Sequence, residues 1–167
     1  MKKNLSLING KFKDSISVYD RGLSYGDGFF ETMLWDSFEN NKKVNIGVEF
    51  WLRHLRRIKA GCKLMQINLP SDDKIIEERN LILKASFKEQ KSGLLKMIIT
   101  RGVGGRGYKF EKNMTPTTIF LSLPKPKYEK EYFKSGVVVK ICKTQLSKNK
   151  NLFGYKHLNR LDSVLAR

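Results

Sequence analysis

Length, composition and charge place this chain among folded globular proteins. It has 167 residues, of which 40% are hydrophobic and 11% aromatic. That is enough for one ordinary domain, or for a small domain with part of another, and it excludes a long disordered chain. The sequence has no run of about 18 apolar residues and no signal-peptide pattern, so we expect a soluble, cytosolic protein.

The net charge of +17 makes nucleic-acid binding a hypothesis, because clustered lysines and arginines attract phosphate backbones. The basic residues are spread over the whole chain, however, and neither zinc-finger spacing nor an RNP-type aromatic pattern accompanies them. A basic nucleic-acid-binding domain therefore stays as an alternative rather than as the main interpretation.

The chain begins with a predicted β-hairpin. Residues 5–18 form two short alternating runs around Asn9-Gly10, a pair that tolerates the positive φ of a tight turn. Three glycines then mark a bend before a strand predicted over residues 29–35. Residues 36–43 are expected to form the turn that leaves this strand.

Two amphipathic helices are predicted next. Between Val48 and Met65, apolar residues recur at steps of three and four, which places them on one helical face. Ser71 is a good N-cap for a second helix, which we expect over residues 75–87 after the break at Pro70.

The second half of the chain returns to strands. We predict strands over residues 94–100, 117–123 and 137–142, with a glycine-rich loop between the first two. The order of hairpin, helices and strands favours an α+β fold over a doubly wound parallel sheet. The final residues show helical spacing after a turn at Gly154 and have no stop signal, so we expect the fold to continue past Arg167.

The glycine-rich loop has the sequence RGVGGRGY over residues 101–108. It lacks the Gly-Lys-Ser/Thr of a P-loop and the spacing of a dinucleotide-binding turn. A flexible connection and a ligand-binding loop both remain open, and the arginines Arg101 and Arg106 favour a carboxylate ligand because a guanidinium matches a carboxylate in geometry and charge.

Lys156 is one lysine among many, and alone it indicates a solvated surface charge. Its neighbourhood is unusual, since it lies between a Gly-Tyr turn and an apolar helix. An amine in such a place can be partly desolvated and kept neutral enough to attack a carbonyl.

Four separated segments together resemble one family, the fold type IV pyridoxal-phosphate enzymes. This group includes branched-chain and D-amino-acid aminotransferases and aminodeoxychorismate lyases. The segments, in chain order, are DRGLSYGDGFFETM at residues 20–33, HLRRI at 54–58, RGVGGRGY at 101–108 and GYKHLNRLDSVLAR at 154–167. The form of the loop is the one most similar to the lyases.

The resemblance implies a two-domain fold. Residues 1–123 would form the small N-terminal domain, an α+β unit of an antiparallel sheet with two helices. Residues 124–132 would be a linker, and residues 133–167 would supply the first strand and helix of an incomplete cofactor-binding domain. Members of the family are usually homodimers whose partner helps to build each active site.

The resemblance also implies a site. Lys156 would form the Schiff base with pyridoxal 5'-phosphate and move protons at the substrate, while Arg57 would bind the cofactor phosphate. Arg106 and Tyr108 would grip a substrate carboxylate, and no metal is expected. His54 and His157 are interpreted as packing residues, and the acids Asp27 and Glu31 receive no role.

The implied reaction converts 4-amino-4-deoxychorismate into 4-aminobenzoate and pyruvate, a step of folate biosynthesis. The alternatives are a D-amino-acid or branched-chain aminotransferase of the same fold, and a non-catalytic remnant. Leu34 departs from the family pattern, since many members have an arginine there. The acid that pairs with the pyridine nitrogen would belong to the missing C-terminal domain, so we expect the isolated chain to be inactive.

Overall fold

The computed structural model describes residues 4–40 and 43–167, and a single antiparallel sheet organises them. The sheet has the strand order β2-β1-β6-β5-β3-β4 in the described part of the chain. Its strands are β1 (Leu5–Ile8), β2 (Lys11–Phe12), β3 (Gly28–Asn40), β4 (Lys43–Val48), β5 (Ser92–Thr100) and β6 (Thr117–Pro124). The helices are α1 (Arg21–Tyr25), α2 (Trp51–Leu64), α3 (Asp72–Phe87), α4 (Tyr132–Ser135) and α5 (Leu161–Leu165).

The predicted hairpin is confirmed. Asn9 and Gly10 have φ values of 50° and 74°, which suit a two-residue turn whose twist matches that of the flanking strands. β1 continues into the sheet by pairing with β6, whereas β2 ends at Phe12. The second run of the hairpin is therefore shorter than its alternating pattern predicts.

The predicted turn after the first long strand is wrong for most of its length. β3 continues through residues 36–40 because these residues pair with β4, an antiparallel strand that the polar sequence did not reveal. Residues 41 and 42 of the predicted turn lie outside the described residues. Cross-strand hydrogen bonding thus overrides the weak strand propensity of this polar segment.

α2 and α3 cover one face of the sheet and form the core with it. The inward positions of β3 and β5 alternate along each strand, as a sheet with one covered face requires. Ser71 is confirmed as the N-cap of α3, because its hydroxyl accepts a hydrogen bond from the N–H of Lys74. The buried apolar residues include Met33, Trp35, Ile58, Ile75, Ile82, Leu95, Met97 and Phe120.

The strand predicted over residues 137–142 is wrong. The segment has no strand partner among the described residues, and the side chain of Ile141 is fully exposed. An apolar run forms a strand only when a neighbour accepts its backbone hydrogen bonds. The helix predicted in the tail forms as the short α5, and none of the described helices combines the length and hydrophobicity needed to cross a membrane.

The close packing of α2 on β3 generates a first prediction. A Cβ at Gly61 would lie 2.8 Å from the buried ring of Phe29, so Gly61→Ala overpacks this contact. We expect the free energy of unfolding to fall by about 1–2 kcal/mol although alanine favours the helix. Urea denaturation measures the change.

Ala60 provides the matched control, because it is exposed on the same helix. Ala60→Gly should cost about 1 kcal/mol through helix propensity alone. A stabilised Gly61→Ala variant would show that the ring of Phe29 gives way and that the helix does not depend on close approach.

Candidate active site

The segment that contains Lys156 docks on the free edge of β3. The N–H of Phe30 donates to the carbonyl of Lys156 at 2.8 Å, and the N–H of Leu158 donates to the carbonyl of Gly28 at 3.0 Å. β4 pairs with β3 only from Trp35 onward, so this part of the edge is open to another partner. The backbone of residues 156–158 is this partner, and it forms hydrogen bonds with the open part of β3.

Side chains on both sides of Lys156 anchor the segment. The ring of Tyr155 makes an edge contact with the core residue Phe29, at 6.1 Å between centroids. Asn159 donates to the carbonyl of Gly26 at 3.3 Å and fills the space above it, where a Cβ would lie 2.4 Å from its amide oxygen. The backbone of Lys156 is thereby held at a defined place.

Three cationic groups surround the ring of Phe30. The Nζ atoms of Lys156 and Lys96 lie 4.9 Å and 5.0 Å from its centroid, and the guanidinium of Arg160 lies 5.6 Å from it. Arg160 also donates to two carbonyls of the docked segment, those of Tyr155 and His157. The ring of Phe30 is thus an apolar, aromatic surface next to the amine of Lys156.

These surroundings lower the pKa of the Lys156 amine below its ordinary value. Burial is the main cause, and the nearby positive charges of Arg57, Arg160 and Lys96 act in the same direction. The carboxylate of Glu31 opposes the shift without cancelling it. A larger neutral fraction makes the amine a better nucleophile.

Glu31 is the buried centre of the adjoining network, with 1% of its side chain exposed. Its carboxylate accepts hydrogen bonds from Nε and one terminal nitrogen of Arg57, both at 2.5 Å, and pairs with Nδ1 of His54 at 2.7 Å. Burial favours the protonated acid, but the hydrogen bonds from Arg57 and His54 outweigh it and lower the pKa of Glu31. The sequence left this acid without a role.

Arg57 is oriented by Glu31 and still has 43% of its side chain exposed. Its guanidinium can bind an added anionic group while the carboxylate fixes its direction. The amine of Lys156 lies in the same electrostatic neighbourhood, and Lys156 and Arg160, but not Arg57, line an open cavity of about 1240 Å³. An amine and an oriented guanidinium that interact electrostatically are the two groups that a ligand with a carbonyl and a phosphate requires.

Arg106 and Tyr108 lie elsewhere. Both are exposed in the loop after β5, where Tyr108 makes an edge contact with Tyr25 at 5.7 Å between centroids. Arg106 lines a separate cavity of about 570 Å³, which does not include Lys156. In the described structure the charge of Arg57 acts on Lys156, whereas no hydrogen bond or charge interaction joins Arg106 or Tyr108 to it, and none of these three residues lines the Lys156 cavity.

Arg101 corrects one sequence interpretation. This arginine was expected to help attract a carboxylate ligand, but only 3% of it is exposed and its guanidinium donates to Asp27 at 2.7 Å and 3.0 Å. It also donates to the carbonyls of Met65 and Gln66. Its hydrogen-bonding capacity serves the fold, so Arg106 is the loop arginine that stays accessible to a ligand.

The sequence also missed Phe30 and Lys96 as neighbours of Lys156. Only the pairing of β3 with β5 and with the docked segment brings these positions together. A signal for Glu31 was present, because this acid occupies an inward position of an alternating strand between Phe29 and Met33. A buried carboxylate requires a partner, and α2 supplies it.

The fold and the lysine-centred site define the class of proteins to which the chain is similar. The sequence model of the amino-transferase class IV family matches residues 28–167, and the chain belongs to this family. Class IV aminotransferases and aminodeoxychorismate lyases depend on pyridoxal phosphate. The family and the cofactor class expected from the four segments are therefore confirmed.

The similar proteins include a lyase and an aminotransferase of this family. An aminodeoxychorismate lyase of Vibrio harveyi is 30% identical over 160 residues, which are 96% of this chain and 55% of the relative. A putative branched-chain-amino-acid aminotransferase of Methanocaldococcus jannaschii is 29% identical over 166 residues, with 96% and 53% covered. The chain thus spans about half the length of these relatives.

Solved structures support the expected fold. The 4-amino-4-deoxychorismate lyase of Pseudomonas aeruginosa superposes with a TM-score of 0.79 at 35% identity, covering 98% of this chain and 56% of that one. The branched-chain aminotransferase of Escherichia coli gives 0.77 at 18% identity, covering 96% and 54%, and shows the fold alone. The α+β prediction is confirmed as the N-terminal part of the fold type IV enzymes.

The buried carboxylate of Glu31 generates a prediction about pH. Because its pKa is lower in the folded protein than in the unfolded chain, its contribution to stability is present near neutral pH and is lost as the pH falls through the folded-state pKa. Glu31→Gln should lower the free energy of unfolding by about 2–3 kcal/mol at pH 7. The difference from the wild type should shrink below about pH 4.

Urea denaturation at pH 7 and at about pH 3 measures this difference. Glu77→Gln is the control, because Glu77 forms only a surface pair with Lys74 and should change stability by less than about 1 kcal/mol. An equal effect of Glu31→Gln at both pH values would contradict the role of the ionised carboxylate.

Proposed function

We propose that this chain is the N-terminal part of a pyridoxal-phosphate-dependent lyase that converts 4-amino-4-deoxychorismate into 4-aminobenzoate and pyruvate, for folate synthesis in the cytoplasm. The observation that carries the proposal is the docking of Lys156 on β3 beside the Glu31–Arg57 pair. The 30% identity with the lyase of Vibrio harveyi supports the choice of reaction.

When bound, pyridoxal phosphate supplies a ring that withdraws electrons from the substrate carbon next to it. Lys156 would hold the cofactor through its amine and would carry a proton to and from the substrate. Arg57 would donate hydrogen bonds to the phosphate, and Glu31 keeps its guanidinium oriented. The ring of Phe30 shields one side of the Lys156 amine from water.

The substrate has two carboxylates, and we assign Arg106 and Tyr108 to binding one of them. Arg106 supplies a charged fork and Tyr108 a hydroxyl donor, and both are exposed on the loop. Because neither residue lines the Lys156 cavity of this chain, we assign to a partner subunit the role of bringing the loop of one copy to the lysine of the other. A homodimer is therefore part of the proposal.

The division of the chain is a further part of the proposal. Residues 1–123 form the small domain, residues 124–132 a linker, and residues 133–167 the beginning of the cofactor-binding domain. The relatives extend for about as many residues again as the matched region, which leaves room for the other cofactor contacts. The 167 residues alone are accordingly proposed to be inactive.

An aminotransferase is the second candidate. The archaeal relative, at 29% identity, carries a putative branched-chain-amino-acid aminotransferase assignment and matches as much of the chain as the lyase does. The RGVGGRGY form of the loop favours the lyase. Transfer of an amino group and elimination of pyruvate use the same lysine, so the substrate contacts decide between them.

Cofactor labelling tests the role of Lys156. Incubation with pyridoxal phosphate should give the absorbance band of a lysine-bound cofactor, and borohydride reduction followed by peptide mapping should place the label mainly on Lys156. Lys156→Arg should abolish the band. Label scattered over the lysines of the wild type, or an unchanged absorbance band in Lys156→Arg, would contradict the assignment.

Arg57 and Arg56 provide a matched pair for the phosphate contact. Both are exposed arginines on α2, but only Arg57 is oriented by Glu31. Arg57→Ala should weaken cofactor binding by about tenfold to a hundredfold, because a charge-assisted hydrogen bond is lost. Arg56→Ala should leave binding near the wild-type value, and equal effects of the two changes would remove Arg57 from the site.

Side-by-side assays test the reaction. The chain extended to the length of its relatives should release pyruvate and 4-aminobenzoate from 4-amino-4-deoxychorismate, while the 167-residue chain should show no turnover. Amino-group transfer from branched-chain or D-amino acids without lyase activity would favour the second candidate. Turnover by the 167 residues alone would refute their proposed inactivity.

A further inference from the structure

Arg21 is a buried arginine whose contacts converge on the glycine-rich loop. Only 3% of this residue is exposed. Its Nε donates to Asp27 at 2.9 Å, and its two terminal nitrogens donate to the carbonyls of Gly107 at 2.8 Å and Tyr108 at 3.3 Å. Its guanidinium also lies over the ring of Tyr25, 4.6 Å from the centroid.

The backbone between the two candidate substrate-binding residues is held from two sides. The carbonyl of Gly107 accepts from Arg21, while the N–H of Gly107 donates to the hydroxyl of Tyr25 at 2.9 Å. Gly107 has a φ of 94°, a conformation that other residues rarely adopt. Without these contacts the open glycine-rich backbone has many other conformations available.

Arg21, which binds the loop, is itself held in place by other contacts. Asp27 binds Arg21 and Arg101 together, and Asp20 caps the start of α1 by accepting from the N–H of Gly22 at 2.8 Å. The backbone of Arg21 is tied to the loop as well, because its N–H donates to the carbonyl of Gly102 at 2.9 Å. The loop is thus attached to α1 through several independent contacts.

α1 also touches the segment that carries the lysine. Gly26, which ends this helix with a φ of 63°, accepts from Asn159 and packs under its side chain. One end of a five-residue helix therefore contacts the loop of Arg106, and the other end contacts a residue three positions after Lys156.

We propose that Arg21 is a positioning residue that fixes the conformation of the loop carrying Arg106 and Tyr108 before any ligand binds. That the positioned side chains serve a carboxylate-bearing substrate rests on the proposed function. Pre-ordering the loop removes an entropy cost from ligand binding.

Tryptic cleavage of the Arg106–Gly107 bond tests the ordering without cofactor or substrate. Arg21→Lys keeps a positive charge near Asp27 but cannot reproduce the fork that reaches both carbonyls. Cleavage of this bond, followed by mass spectrometry, should be about tenfold faster in Arg21→Lys than in the wild type. Cleavage after the exposed Lys148 provides an internal reference that should stay constant.

Two further variants separate positioning from general destabilisation. Tyr25→Phe removes only the acceptor of the Gly107 N–H and should also accelerate cleavage, by about threefold to tenfold. Ala60→Gly changes an exposed position of α2 and should lower the melting temperature through helix propensity without affecting the Arg106–Gly107 bond. Equal acceleration by Ala60→Gly, or no acceleration by Arg21→Lys, would overturn the proposal.

Chorismate, a dicarboxylate of the proposed substrate class, separates this inference from the proposed function. Protection of the Arg106–Gly107 bond by chorismate in the wild type, reduced in Arg21→Lys, would support both. Acceleration in Arg21→Lys without protection by chorismate would support the positioning role and count against carboxylate binding by the loop.

Discussion

The pairing of residues 156–158 with the first residues of β3 is the interaction on which the site depends. It uses backbone hydrogen bonds, from Phe30 to Lys156 and from Leu158 to Gly28, so it holds the lysine without constraining its side chain. The free edge exists because β4 pairs only with the later part of β3. An edge filled by the chain itself is also protected from pairing with other molecules, a common hazard of exposed strands.

Buried charged side chains determine how the loop and α2 are placed against the sheet. Glu31 compensates the charge of Arg57 and also pairs with His54 through a hydrogen bond, and Asp27 compensates Arg21 and Arg101. Removing one partner of such a group is expensive because the other is left buried and unpaired. Carbonyl oxygens accept the remaining donors of the buried arginines, so these networks determine where the loop and α2 lie rather than adding much net stability.

The fold was largely predictable because its signals are local. Asn9-Gly10 indicated the hairpin, Ser71 indicated the start of α3, and the spacing from Val48 to Met65 indicated α2. Errors arose where structure depends on a neighbour: the polar residues 36–40 become a strand through β4, and the apolar residues 137–142 have no strand beside them in the described chain. The pattern of polar and apolar residues along the chain does not show whether a neighbouring strand is available for backbone hydrogen bonds.

The sequence by itself determined the hairpin, the two long helices and the family, since each is written in short spacings or contiguous motifs. Only the tertiary structure decided that Glu31 orients Arg57, that Arg101 is buried while Arg106 is accessible, and that Phe30 borders the lysine. The physical reason is that burial and charge pairing join residues from distant segments. Their effects on pKa and orientation exist only after β3, α2 and the docked segment have met.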